Sequence, residues 1–159
     1  MNLDSIKFVL SEIDGIITEH LTAIGEMNIT MFKQFCMKDF EAINVIKKDY
    51  GFAFISSDAS INMSLCKKRN IPFFHAEQSK KEVYVEKVLR RFSLTPDNVL
   101  YLGSSYSDIE CLHMSGVSMC PEDAVSQVRE FVDYIIPVYS GTGVLSYLYD
   151  LLRKNRRIE

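Results

Sequence analysis

Glu12 and Asp14 stand two residues apart at the end of an apolar run, in the stretch IKFVLSEIDGIIT over residues 6–18. Ile6, Phe8, Val9 and Leu10 suit a buried strand, and Gly15 lets the backbone turn sharply just after the acids. Carboxylates placed beyond the carboxyl end of a central strand lie where open α/β sheets bind ligands. The alternative is a surface turn that is merely acidic. Three later stretches also set polar residues at element ends: ISSD with Ser56, SKKE with Lys81, and GSSYSD with Ser104, Ser105 and Asp108. Taken singly, each has an ordinary reading. Ser56 caps a turn, Lys81 is a solvated lysine near a helix start, and Asp108 is an acid favoured in a first helical turn.

The elements that must carry these residues alternate along the chain. Residues of about 20–36 hold β-prone Ile24, Ile29, Thr30, Phe32 and Phe35 around a turn at Gly25, which predicts a β-hairpin. Its apolar side chains serve as a lid over the site, as a subunit contact, or as packing against their own domain. Asp39 predicts the cap of a helix running to about residue 48, with Phe40, Ile43, Val45 and Ile46 as its apolar stripe. Residues 52–56 read as a second core strand, 60–68 as a helix and 71–75 as a strand. An amphipathic helix follows over 79–92, with Val83, Val85, Val88, Leu89 and Phe92 inward and a capping box from Ser79 to Glu82. Residues 98–103 form a further core strand, and a helix runs through residue 114. Strand, helix and strand are expected over 116–120, 122–131 and 134–138, and 142–153 closes as a helix. This order predicts a single α/β domain over residues 1–159, a doubly wound, Rossmann-like, mostly parallel sheet with helices on both faces.

Composition narrows the class. The chain has 159 residues, 47% of them apolar and 25% charged, with a net charge of −3, which fits one globular domain and excludes a nucleic-acid surface. Arg153, Lys154, Arg156 and Arg157 suit a solvated last helical turn better than a phosphate clamp. Cys36, Cys66, Cys111 and Cys120 form no CxxC pair, which argues against zinc and against a disulfide framework and fits a reducing compartment. His75 stands apart from the other motifs and reads as structural. No membrane-length apolar run or signal-peptide layout is present, so the chain is expected to be soluble, intracellular and cytoplasmic, with no membrane partner.

In order, SEIDGIIT, ISSD, SKKE and GSSYSD resemble the motif set of the haloacid dehalogenase superfamily of phosphotransferases. The early hairpin, KDFEA after it and SGTGVLSYL near the end resemble the 3-deoxy-D-manno-octulosonate 8-phosphate phosphatase subfamily, which lacks a separate cap domain. YLGSSYSDIECLHMSGVSMCPEDA is also similar to the phosphatase-like C-terminal domain of animal CMP-sialate synthetases. The resemblance implies that Glu12 falls on the nucleophilic aspartate and that Asp14 is the general acid and base, its carbonyl also reaching a magnesium ion. Ser56 would bind phosphate, Lys81 would neutralise its charge, and Asp108 would be the last acid of the metal loop. It further implies a homotetramer joined through hairpins, a cytidylyltransferase partner domain, and a small phosphorylated sugar acid as ligand.

Two departures alter that expectation. Glu12 is one methylene longer than aspartate, and a displacement of roughly 1 Å can cost about 100-fold in rate. Ser104 and Ser105 replace two aspartates, so magnesium, a hard cation that favours carboxylate oxygens, is expected to bind weakly or not at all through Glu12, Asp14 and Asp108. The expectation is a degenerate phosphatase-like domain, acting as an oligomerising or ligand-binding module of sialic-acid or related sugar-acid metabolism. The alternative is an active magnesium-dependent phosphatase with Glu12 as nucleophile.

Overall fold

The computed structural model describes residues 2–76 and 80–155. In chain order the elements are β1 (Phe8–Glu12), the hairpin strands β2 (Ala23–Ile24) and β3 (Thr30–Phe32), α1 (Met37–Asp49), β4 (Gly51–Ser56), α2 (Ile61–Lys68), β5 (Phe73–His75), α3 (Lys81–Phe92), β6 (Val99–Leu102), α4 (Ile109–His113), β7 (Val117–Pro121), α5 (Ser126–Arg129), β8 (Tyr134–Ile136) and α6 (Val144–Asn155). Six strands form one parallel sheet in the order β5-β4-β1-β6-β7-β8. The expected mostly parallel sheet is thus parallel in every pairing, and β2 and β3 form a separate antiparallel pair. No separate cap domain is evident among the described residues.

Alternate residues of the strands feed two cores. Val9, Phe52, Phe54, Leu100 and Leu102 meet Ile43 and Ile46 of α1 and Leu145 and Leu148 of α6. On the other face Phe8, Leu10, Ala53, Ile55 and Tyr101 meet Val85 and Val88 of α3 and Leu112 of α4. Burial on both faces explains why the strands read as unbroken apolar runs. The chain moves from β1 outward to β4 and β5, then returns across β1 to β6. Strand order therefore reverses beside β1, and the crevice at the carboxyl ends of β1 and β6 is where such sheets take ligands. Glu12 ends β1, Ser56 ends β4, and Ser104 follows β6 by two residues, so all three share that edge.

Several local expectations change. Helix α1 begins before Asp39, with Cys36 at its cap position. Asp39 is fully buried, and its Oδ1 accepts the Ser146 N–H of α6 at 3.0 Å. The acid caps a different helix, from which it is separated by most of the chain. In the hairpin the left-handed residues are Met27 and Asn28, at φ 65° and 60°, not Gly25 at φ −87°. Phe35 leaves the hairpin and packs on the core beside Phe40. Val83 and Phe92 of α3 are 41% and 47% exposed rather than buried, although Phe92 still sets its ring 5.0 Å from that of buried Phe8, and the helix expected over 122–131 is the short α5. Ser79 lies outside the described residues, and with it the expected capping box. The four cysteines are free, and burial pushes the thiols of Cys66, Cys111 and Cys120 up to about 12. Among the described residues no helix is long and apolar enough to cross a membrane.

The Asp39 contact yields a stability prediction. Burial raises its carboxyl to about 6, against hydrogen bonds from Ser146 and Leu145 that lower it. Asp39→Ala strips the first turn of α6 of its acceptor and should cost about 1–3 kcal/mol, or roughly 2–4 °C of Tm per kcal/mol. A carboxyl raised in the folded state stabilises most at low pH, so the loss measured by thermal unfolding should be larger at pH 5 than at pH 8.

Candidate active site

The loop after β1 is pinned from below. Ile13, Ile16 and Ile17 are fully buried, the N–H groups of Ile16 and Ile17 donate to the Ile13 carbonyl, and the Gly15 N–H donates to the Thr18 carbonyl at 3.1 Å. Apolar anchorage of this turn leaves the acids to face the crevice. Gly15 has φ +79°, and a Cβ there would come within 2.3 Å of Ser104 Oγ and of the His20 ring. The loops after β1 and β6 approach because residue 15 lacks a side chain.

Lys81, the first residue of α3, reaches into the crevice and is 2% exposed. Its ammonium pairs with Glu12 Oε2, donates to Asp108 Oδ1 at 2.7 Å and donates to Ser107 Oγ at 3.0 Å. Glu12 Oε1 accepts the Ile13 N–H at 2.9 Å. Asp108 is fully engaged: Tyr101 Oη donates to Oδ1, while the N–H groups of Ser104 and Ser105 and the Ser105 hydroxyl donate to Oδ2, all at 2.9–3.0 Å. The surface-lysine reading of Lys81 is therefore wrong. Asp108 does sit in a first helical turn, where it forms a capping box with Ser105, and it pairs with Lys81 as well.

A second lysine was missed in the sequence. Lys33 of the hairpin points its ammonium at both oxygens of Asp14, at 2.8 and 2.9 Å, and at Asp58 Oδ2, at 2.5 Å. It also donates to Asn62 Oδ1 at 3.3 Å, while Asn62 Nδ2 donates to Asp14 Oδ2 at 2.9 Å and to Ser56 Oγ at 3.1 Å. Ser56 is buried at the end of β4 and also accepts the Asp58 N–H at 3.3 Å. A lone lysine inside the apolar stretch ITMFKQF was the available signal.

The resemblance implies a magnesium ion, and these residues do not fit one. Ser104 contributes a hydroxyl, 3.5 Å from the Asp14 carbonyl, where a carboxylate would be needed. Both oxygens of Asp108 are already taken. Among the described residues no group of three acids, histidines or cysteines is placed to hold a metal. Among the described residues the expected set of Glu12, the Asp14 carbonyl and Asp108 does not assemble as a metal shell: Lys81 pairs with both Glu12 and Asp108, and the Asp14 carbonyl faces the Ser104 hydroxyl.

Electrostatics follow from burial. Loss of water raises the Glu12 carboxyl to about 7, against the attraction of Lys81 and with added repulsion from Asp108. Burial opposes the charge on Lys81, but Glu12 and Asp108 outweigh it and raise the ammonium well above its usual range. Asp108 is lowered: burial works against its ionised form, but Lys81 and the two loop N–H groups more than offset it. A raised carboxyl contributes stability at low pH that is lost as pH rises through its folded value, whereas the lowered Asp108 loses its contribution only in strong acid. Thermal stability should therefore fall between pH 5 and pH 8, and Glu12→Gln should flatten that decline. An unchanged slope in the variant would place the titrating group elsewhere.

Comparison with known proteins agrees with this layout. Residues 19–148 match the sequence model of a haloacid dehalogenase-like hydrolase. The chain is 25% identical over 155 residues to 3-deoxy-D-manno-octulosonate 8-phosphate phosphatase of Haemophilus influenzae, covering 94% of this chain and 84% of that one. It is 24% identical over 151 residues to the Salmonella typhi enzyme, covering 94% and 80%. The cobalt-bound Haemophilus structure superposes with a TM-score of 0.89 at 23% identity, over 98% of this chain and 91% of that one. The Moraxella catarrhalis enzyme, solved with magnesium, phosphate and the sugar acid, superposes at 0.87 with 18% identity, over 96% and 88%. The match to the hydrolase model spans most of the chain, and the fold agrees with it: the chain belongs to the haloacid dehalogenase-like hydrolases.

Proposed function

We propose that the chain handles a phosphorylated sugar acid at the crevice beside β1 and binds this ligand with impaired hydrolysis. The ligand class rests on the names of the relatives. The impairment rests on one observation, the saturated acid–lysine–acid cluster of Glu12, Lys81 and Asp108 beside a serine at position 104. In this reading Lys81 and the Ser56 hydroxyl hold phosphate oxygens. Glu12 is too long and too tightly paired for in-line attack, and the phosphate meets acids that no metal offsets. The resemblance to CMP-sialate synthetase C-terminal domains supports a place beside a cytidylyltransferase in sialic-acid or related metabolism.

Turnover with Glu12 as nucleophile is the second reading, and the relatives, named as phosphatases, favour it. A Glu12 oxygen would attack phosphorus, the departing alcohol would take a proton from Asp14, and water would then cleave the acyl phosphate. A series of variants separates the two. The unmodified chain should release phosphate from sugar-acid phosphates at background rate with magnesium present. Glu12→Asp and Ser104→Asp should each recover little, whereas the pair, with Ser105→Asp, should gain more than the two singles combined, since nucleophile and metal ligand act as a unit. Robust turnover by the unmodified chain, abolished in Glu12→Gln, would decide for the second reading.

The hairpin supports a homo-oligomer, a tetramer in this proposal. Leu21, Ile24, Met27, Ile29, Met31 and Phe32 are all more than half exposed, and covering each large apolar side chain is worth about 1.5–3 kcal/mol. Sedimentation at micromolar concentration should show an assembled species that Ile29→Ser with Phe32→Ser converts to monomer; a monomeric parent chain would refute the assembly.

A further inference from the structure

We propose that Lys33 is a positioning residue of the site, fixing the Asp14 carboxylate from the hairpin and making the hairpin one wall of the ligand crevice. The inference rests on the ligand site proposed above but assigns a residue that neither the motif set nor the relatives' names supply. Three observations carry it. The Lys33 side chain is only 4% exposed, although Met31 and Phe32, which end β3 just before it, are 68% and 59% exposed. Its ammonium is the hub of a cluster drawn from three segments: Asp14 from the loop after β1, Asp58 from the loop after β4, and Asn62 from the first turn of α2. Asn62 is itself completely buried and closes the ring by donating to Asp14 and to Ser56.

A buried ammonium persists only where acceptors replace its lost water, and charge-assisted bonds are stronger and more directional than neutral ones. The lysine stem spans the gap from an otherwise solvated hairpin, and its head group lands among acids. Asp14 and Asp58 would repel one another without it. Removing Lys33 should therefore turn Asp14 away from the crevice and loosen the β4–α2 loop, the second of these far from the hairpin in sequence. Arginine, which keeps the charge and the donors, should preserve much of the arrangement.

The test uses the intact chain. In ¹⁵N spectra of lysine ammonium groups, Lys33 and Lys81 should give signals protected from solvent, and Lys33→Met should remove one of them. Amide hydrogen exchange in Lys33→Met should speed about tenfold or more at residues 57–62 as well as in the hairpin, with Lys33→Arg restoring most of the protection. Asp58→Asn should reproduce part of the effect and add little to Lys33→Met. Titration with inorganic phosphate should move the Lys81 signal and, through Asp14, the Lys33 signal. If Lys33→Met loosens the hairpin alone, or if Arg fails to restore protection at 57–62, the positioning role is overturned. Movement of Lys81 without Lys33 would overturn it while leaving the ligand site standing. If phosphate moves neither signal, the ligand reading of the crevice fails, and exchange at 57–62 still decides whether Lys33 holds that loop.

Discussion

The site depends on one ammonium taken out of water. Lys81 is buried between Glu12 and Asp108, and three different elements have to deliver those groups: the end of β1, the start of α3 and the turn after β6. Breaking such a cluster by removing one member leaves an uncompensated buried charge, which is far more costly than the net worth of the pairs suggests. The cluster therefore acts as a registration device. It requires β1 and β6 to be neighbours and α3 to begin at the carboxyl edge, and the parallel order β4-β1-β6 satisfies both.

The asymmetry of the hairpin is the other organising fact. Its outer face leaves Leu21, Met27 and Met31 in water, while a single inward lysine bonds to the site. The same short segment thus carries a surface suited to another protein and a side chain that orders Asp14. Whatever covers the outer face bears on a strand whose inner end is tied to the crevice.

Most of the architecture was legible because strand and helix periods are local. Phe52, Phe54 and Val99 announce strands wherever they sit, and the parallel alternation follows from their spacing with the helices between them. The placement of Glu12, Ser56, Lys81 and Asp108 at element ends was legible for the same reason, as each closes or opens an element. What failed was long-range. Asp39 has the residue type of a cap, but the helix it caps is chosen by α1 packing on α6, far away in sequence. Lys33 reads as an ordinary polar interruption until the hairpin folds back over Asp14. Gly25 has the composition of a turn residue, yet Met27 and Asn28 take the left-handed conformations, so turn chemistry alone misplaced the bend.

The loop after β6 satisfies its own polar groups. Four acids, Glu12, Asp14, Asp58 and Asp108, already share two ammonium groups, Lys33 and Lys81. Aspartates at 104 and 105 would add two more carboxylates to that cluster, a burden that a divalent cation normally offsets. With serines there, the Ser105 hydroxyl and both loop N–H groups donate to Asp108. Glu12 belongs to the same cluster: its carboxylate meets Lys81, while burial raises its affinity for protons. Lys81 thus ties the ends of β1 and β6 together through Glu12 and Asp108, and the loop after β6 is held to the same cluster through Asp108.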